Sequence, residues 1–161
     1  MRLFPFFAMT AVALAGCEAP GPEAPAAPPA SPAPAPAEAF TWTAAGDGSA
    51  LVLTDAGGAP LMRLACPAGS GQLHVVGETF EEIGSEDRLT VGVGDEAFAL
   101  AADLEAPRTS GVEASGAVPA DLLDRLEAGG EVSLHYGNQN AGPTPAPVDA
   151  AAFIAACRAE L

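Results

Sequence analysis

The sequence predicts a mainly β domain with minor α content, a small antiparallel β-sandwich or barrel with a short helix and a C-terminal helix tied by a disulfide. Short apolar runs separated by glycine, proline and aspartate turns recur through residues 39–161, as in antiparallel β proteins. Two segments instead carry apolar residues at helical spacing. Two cysteines, Cys66 and Cys157, can join a predicted strand to the second of these helices.

Apolar runs, alternating or continuous, mark the predicted strands. Turn residues bound them, for example Asp55 to Gly58 and Gly94-Asp95. A late run, Val132–Tyr136, lies between the two helical segments and is predicted as a strand as well. The predicted strands cover residues 40–43, 50–54, 61–66, 72–76, 88–93, 97–101, 111–115 and 132–136.

Two segments are predicted as helices. Pro119–Ala128 has proline at its start and closely spaced leucines, and a glycine pair follows it as a stop signal. Asp149–Leu161 begins with an aspartate that is predicted to cap the helix. Phe153, Cys157 and Leu161 recur every four residues and therefore share one helical face. This spacing points the Cys157 thiol inward together with Phe153.

The first residues have the features of a secretory signal. Arg2 supplies a positive start, and Leu3–Leu14 is an uncharged apolar run followed by small residues before Cys17. A transmembrane anchor is the alternative, but a spanning helix needs about 20 apolar residues. Because this run is shorter and contains Pro5, we favour a signal peptide.

Leu14-Ala15-Gly16-Cys17 resembles the lipobox of bacterial lipoproteins position by position. The resemblance implies that residues 1–16 are removed as a signal peptide and that Cys17 becomes the lipid-bearing first residue. Several acyl chains anchor a protein stably, whereas one chain anchors it only marginally. By the same analogy, Glu18 implies passage to the outer membrane, so we expect a lipid-anchored envelope protein that faces the periplasm. An ordinary signal peptide with a chance cysteine is the alternative.

Residues 17–38 are predicted to form a tether. After Cys17 they consist almost wholly of Pro, Ala, Gly, Ser and Glu, which cannot bury an apolar core. Alternating Pro-Ala favours extended polyproline II at about 3.1 Å per residue, so the tether can hold the domain up to about 60 Å from a bilayer. Recognition of PxxP by a partner is the alternative. Residues 39–161 then form a single β-rich domain.

Cys66 and Cys157 are predicted to form a disulfide. Cys17 is used for lipid, and the two remaining cysteines lie in an exported chain, where disulfides form and persist. A metal site is disfavoured because neither cysteine has a CxxC partner. Two buried free thiols are the alternative.

The chain is strongly acidic, with 21 Asp and Glu against six Lys and Arg and a formal net charge of −15. Arg2 leaves with the signal peptide, so the mature chain has five basic against 21 acidic residues, a net charge of −16. Nucleic-acid binding draws on a basic surface, so we exclude it. Attachment to a membrane then depends on the lipid. The negative field would steer a basic partner towards the chain, although acidity also serves solubility.

Two loops are candidate binding sites. The acidic run 78–87 is a possible Ca²⁺ site or pair of glycosidase carboxylates, but a solvated connection is favoured because it lacks the register of an EF-hand. It is also the predicted docking place for a cationic partner. The run 136–140 is either a binding loop or a plain turn. The candidate residues are Glu78, Glu81, Glu82, Glu86, Asp87, Tyr136, Asn138, Gln139 and Asn140.

His74 and His135 are the two histidines, and both lie in predicted strands. If those strands paired, the imidazoles would meet as metal ligands or as a base, but two surface histidines are the favoured interpretation. The sequence contains no nucleophile elbow, zinc-binding helix motif or phosphate-binding loop. No catalytic residue, metal or cofactor is therefore predicted.

The sequence thus predicts a non-enzymatic, lipid-anchored envelope protein whose β domain binds another envelope component or stabilises an assembly. The alternative is an acidic inhibitor of a basic enzyme such as lysozyme, because small lipoproteins that inhibit C-type lysozyme are similar in size, anchor, disulfide and acidity. A hydrolase would need a paired acid and base in a cleft.

Overall fold

The computed structural model describes residues 40–105 and 111–161. The chain divides into two compact units, Met1–Ala35 and Pro36–Leu161, and all described residues belong to the second. The predicted signal peptide, Cys17 and the predicted tether lie outside the described residues. Within the part that is described, no helix has the length and apolar character that crossing a membrane requires.

Within residues 40–105 and 111–161, nine antiparallel strands form one sheet, which curls into a half-barrel. The mainly β, antiparallel fold predicted from the sequence is confirmed. The strand order is β1-β2-β3-β4-β7-β6-β5-β8-β9, so β1 and β9 are the two edges. The strands are β1 (Thr41–Ala45), β2 (Ala50–Thr54), β3 (Pro60–Ala65), β4 (Gln72–Gly77), β5 (Arg88–Val93), β6 (Glu96–Ala102), β7 (Val112–Ala117), β8 (Val132–Tyr136) and β9 (Gln139–Thr144).

One face of the sheet is buried because alternate strand residues are apolar. In β5, for example, Leu89, Val91 and Val93 are fully buried, while the residues between them are half-buried. Two helices, α1 (Ala120–Glu127) and α2 (Ala151–Arg158), add apolar side chains to the same core. The sheet and both helices therefore share one hydrophobic cluster.

Both predicted helices are confirmed, with two differences at the ends of the second. Phe153 and Cys157 are fully buried on the inner face of α2, as the four-residue spacing predicts. The predicted aspartate cap is wrong, because α2 starts after Ala150 and no side chain caps it. Leu161 lies beyond the end of the helix and is 69% exposed, so it does not share the buried face.

Strand β9 is the main element that the sequence prediction missed. Its residues read as an amide- and proline-rich loop, yet they pair with β8, with Tyr136 opposite Gln139. The two-residue connection has Gly137 at a φ of 56°, a conformation that favours glycine in tight hairpins. Pro143 fits in β9 because it lies where the β8–β9 register shifts, and proline is tolerated at such irregularities of a ladder.

The connection between β4 and β5, residues 78–87, is called the acidic loop below. Strands β4 and β5 are separated in the sheet by β7 and β6, so this loop crosses the ends of both intervening strands. The N–H of Ala102, at the end of β6, donates to the Asp87 carbonyl over 2.9 Å. The crossing brings the loop to the end of the sheet where β8 turns into β9.

The predicted disulfide is confirmed. Cys66 follows β3 and Cys157 lies in α2, and their Cα atoms are 5.2 Å apart. A second contact lies beside the bridge: the Glu160 carboxylate accepts the backbone N–H groups of Gly69 and Gly71, both over 2.9 Å. The end of α2 is thus joined covalently and by hydrogen bonds to the segment after β3.

Candidate functional site

The two loops that the sequence marks as candidate binding sites lie against each other. The Gln139 side chain binds both backbone groups of Glu81: Oε1 accepts its N–H over 2.8 Å and Nε2 donates to its carbonyl over 2.7 Å. These residues are 58 positions apart in the chain. The β8–β9 turn therefore holds the middle of the acidic loop in place.

Tyr136 makes the second attachment. Its hydroxyl is fully enclosed and lies 2.9 Å from the Glu86 carbonyl and 3.0 Å from the Ile83 carbonyl, to which it donates. The same oxygen accepts the Ile83 N–H over 3.2 Å. Tyr136 and Gln139 thus position the acidic loop, and their polar groups are already used within the chain.

The candidate residues that remain open to a ligand are the carboxylates and the asparagines. Glu81, Glu82 and Asp87 are exposed, as are Asn138 and Asn140. The remaining two are less open: Glu86 is half-buried, and the half-buried Glu78 pairs with Arg63 over 3.2 Å.

These carboxylates lie at the end of the sheet where the acidic loop passes the ends of β6 and β7. We call the carboxylates at this end the acidic rim. The Asp87 carboxylate is 87% exposed and lies 3.8 Å from the exposed Arg88, too far for a hydrogen bond. Among the described residues, Arg63 and Arg88 are the arginines at this rim. The rim is defined by Glu78, Glu81, Glu82, Glu86, Asp87, Asp103 and Glu105.

The other two described arginines act at the opposite end of the molecule. Arg125 of α1 pairs with Asp95 and with Glu96 in the β5–β6 turn. Arg158 of α2 donates to Asp124 and Glu127 of α1, each over 2.7 Å. The hydrogen bonds to Glu127 and then Asp124 raise the pKa of Arg158 above its ordinary value. Each described arginine is therefore engaged by a carboxylate, and within the described residues the seven carboxylates of the rim outnumber its two arginines.

The two histidines are not brought together. Strands β7, β6 and β5 lie between β4, which carries His74, and β8, which carries His135. His74 Nδ1 is 3.2 Å from a Glu113 carboxylate oxygen, and His135 Nε2 is 3.1 Å from the Ser133 hydroxyl. In the two described ranges, no group of three or more His, Cys, Asp or Glu side chains has the geometry to hold a metal ion.

A second surface feature has no counterpart in the sequence interpretation. The segment after β9 runs beside edge strand β1, and the Trp42 indole N–H donates to the Pro145 carbonyl over 3.0 Å. A cavity of about 250 Å³, called the edge slot below, lies between them. Its walls include Trp42, Thr43 and Ala44 of β1, and Pro147, Val148 and Asp149 on the other side.

Pro147 and Val148 line both the edge slot and a second cavity of about 340 Å³ beside α1 and α2. The side chain of Val148 is fully exposed. Sequence reasoning could not find this region, because the contact between Trp42 of β1 and Pro145 joins positions 103 apart in the chain.

Comparison of the chain with protein-family models, with curated proteins and with solved structures gave no significant match.

Proposed function

We propose that this chain is a lipid-anchored protein of the bacterial envelope whose β domain binds another envelope protein through the acidic rim. The observation that carries the proposal is the attachment of the acidic loop to Tyr136 and Gln139. A loop that is held before its partner arrives loses less conformational entropy on binding, so its carboxylates form a preorganised surface. The chemistry of the rim selects a partner with a basic face.

The separation of the histidines supports a binding role over a hydrolytic one. General acid–base catalysis requires the reacting groups to lie within hydrogen-bonding reach of one substrate. Three strands lie between the strands that carry His74 and His135, and Tyr136 is enclosed by the backbone of the acidic loop. The exposed groups that this end of the molecule offers are carboxylates and amides, which suit recognition of a cationic surface.

The acidic rim also favours a second candidate, an inhibitor of a basic enzyme such as lysozyme. An inhibitor of this kind reduces the activity of the enzyme at stoichiometric concentration, whereas a structural or assembly partner leaves it unchanged. Assay of lysozyme with the mature chain distinguishes the two proposals, since both place the contact at the same carboxylates.

Charge neutralisation of the rim tests the proposed binding surface. The variant E81Q/E82Q/E86Q removes three charges and keeps the backbone bonds that Tyr136 and Gln139 make. The control D47N/E131Q/D149N removes the same number of charges from exposed residues elsewhere. Each tagged chain is used to capture partners from detergent-solubilised envelope, and association rates with the captured protein are measured at low and high salt.

The rim variant is expected to associate about tenfold more slowly at low salt, because electrostatic steering depends on the local field. The difference should shrink at high salt, where exposed charges are screened. The control should bind like the wild type. Equal loss in both variants would show that net charge alone drives binding, and unchanged binding by the rim variant would contradict the proposed surface.

A further inference from the structure

The two edges of the described sheet differ in their protection. Within the described ranges no strand lies beyond β1, and its sequence, Thr-Trp-Thr-Ala-Ala, contains neither a proline nor a charge. The other edge, β9, contains Pro143 at the shift in its register with β8. Proteins commonly shield exposed edges with prolines, charges or bulges, because unpaired backbone groups recruit other strands. By this criterion β9 is shielded and β1 is not.

The charge of the chain restricts the surfaces that two copies can share. Each copy has a formal net charge of −15, so two copies repel each other. Close approach is least opposed where neither surface carries a charge, and β1 is such a surface. Val148, which lines the edge slot together with Ala44 of β1, is fully exposed and adds apolar area beside the strand.

Strand β1 is also complementary to itself. A twofold axis through Thr43, perpendicular to the sheet, places Thr43 opposite Thr43 of a second copy and Trp42 opposite Ala44 of that copy. This register pairs all five residues of β1, and any shifted register pairs fewer. Trp42 and Ala44 lie opposite the buried Leu53 and Leu51 in β2, so both face the inner side of the sheet. The twofold axis keeps these inner sides together.

We propose that two copies of this chain form a twofold dimer in which β1 pairs with β1 of the second copy and Thr43 lies at the axis. The joined sheet has a shielded β9 at each end, so the assembly closes at two copies and does not grow into a fibre. The fully exposed Val148 gains apolar neighbours from the second copy. The proposal is independent of lipid anchoring and uses a different surface from the acidic rim.

The length of β1 sets the expected strength of the dimer. At about 3.4 Å per residue, its five residues extend over about 17 Å. Stable interfaces bury about 800 Å² on each partner, which a strand pair of this length does not reach. The dimer is therefore weak, and its population depends on protein concentration.

Sedimentation equilibrium tests the dimer and the strand that forms it. The mature chain, residues 17–161, carries Cys17→Ser and is measured from about 1 μM to about 1 mM. Thr43→Glu places two like charges at the axis and is expected to raise the dissociation constant of the dimer at least about tenfold. Ala97→Glu adds the same charge to an exposed residue of β6 and should behave like the wild type. A monomer at every concentration, or equal dimerisation of Thr43→Glu and the wild type, would overturn the proposal.

Cysteine cross-linking tests the register. Opposite Cα atoms of an antiparallel pair are about 4.5–5.5 Å apart, a distance that a disulfide spans. Thr43→Cys is therefore expected to form a disulfide-linked dimer under mild oxidation. Thr41→Cys is the matched control and should remain monomeric, because Thr41 lies opposite Ala45 of the second copy. Equal yields from the two variants, or a higher yield from Thr41→Cys, would contradict the proposed pairing.

The salt dependence separates this proposal from the proposed function. Binding of a basic partner at the acidic rim weakens with salt, because screening removes the attraction. The dimer should strengthen, because its two copies carry like charge and the exposed Asp149 of each lies at the edge slot. Its dissociation constant is expected to fall about fivefold between about 50 mM and about 500 mM NaCl. A dimer that dissociates as salt is added would contradict pairing through an uncharged edge and would leave binding at the rim unaffected.

Discussion

At the scale of single residues, Tyr136 has a different role from the one that its sequence context indicates. An aromatic residue followed by amides is typical of a binding loop, but the Tyr136 hydroxyl lies within hydrogen-bonding distance of two carbonyls and accepts one N–H of the acidic loop. Gln139 acts in the same way on Glu81. Through these hydrogen bonds to the backbone of the acidic loop, both side chains determine where the carboxylates of the loop lie.

Removing the hydroxyl in Tyr136→Phe is therefore expected to destabilise the domain by about 1–3 kcal/mol, because enclosed backbone groups lose their partner. Denaturant unfolding measures the change, and hydrogen exchange of Ile83 and Glu86 shows whether the acidic loop opens first. Ser85→Ala, in an exposed part of the same loop, is the control. Equal stability of the phenylalanine variant and the wild type would show that the hydroxyl does not hold the loop.

At the scale of elements, helix α2 depends on attachments near its end more than on its cap. It has no capping side chain, but Cys157 bonds to Cys66, Arg158 bonds to α1 and Glu160 bonds to the segment after β3. The backbone N–H groups of Gly71 and then Gly69 lower the pKa of the Glu160 carboxyl. The ionised carboxylate is thus the form that the fold favours.

This attachment predicts how stability changes with pH. The pKa of Glu160 is lower in the folded than in the unfolded protein. The ionised carboxylate therefore stabilises the fold fully above the unfolded pKa of about 4.3, and this stabilisation is lost as the pH falls through the lower folded pKa. The free energy of unfolding of Glu160→Gln should therefore lie below that of the wild type at pH 7, and the two should converge in acid. Urea unfolding at several pH values measures this, with the exposed Glu131→Gln as control. A constant difference at all pH values would contradict it.

At the scale of the whole molecule, local sequence patterns predicted most strands and both helices, but they did not predict the order of the strands in the sheet. Strands β2, β5 and β8 have the predicted bounds, because each is an apolar run between turn residues. The disulfide was predictable because the lipobox resemblance assigns Cys17 to lipid, which leaves one pair of cysteines. The order β4-β7-β6-β5 was not, since it depends on long-range packing that no local pattern encodes. The contacts that build the acidic rim follow from that order.

The same limit explains why the sequence could name five of the seven rim carboxylates but not the positioning roles of Tyr136 and Gln139. Composition identified the carboxylates of residues 78–87, and the turn residues near Tyr136 identified the second loop. Their contact joins residues more than fifty positions apart, and it assigns Tyr136 and Gln139 to positioning. The edge slot was not predicted at all, because neither β9 nor the approach of its end to β1 was expected.

Mass spectrometry of the N-terminal peptide of the native protein tests the anchoring most directly. The account predicts a chain that begins at Cys17 and carries the added mass of several acyl chains. In Cys17→Ser, this species should be absent, and the chain should leave the lipid-bearing fraction or accumulate as the precursor. A native chain that begins at Met1, or one that begins at an unmodified Cys17, would contradict the account.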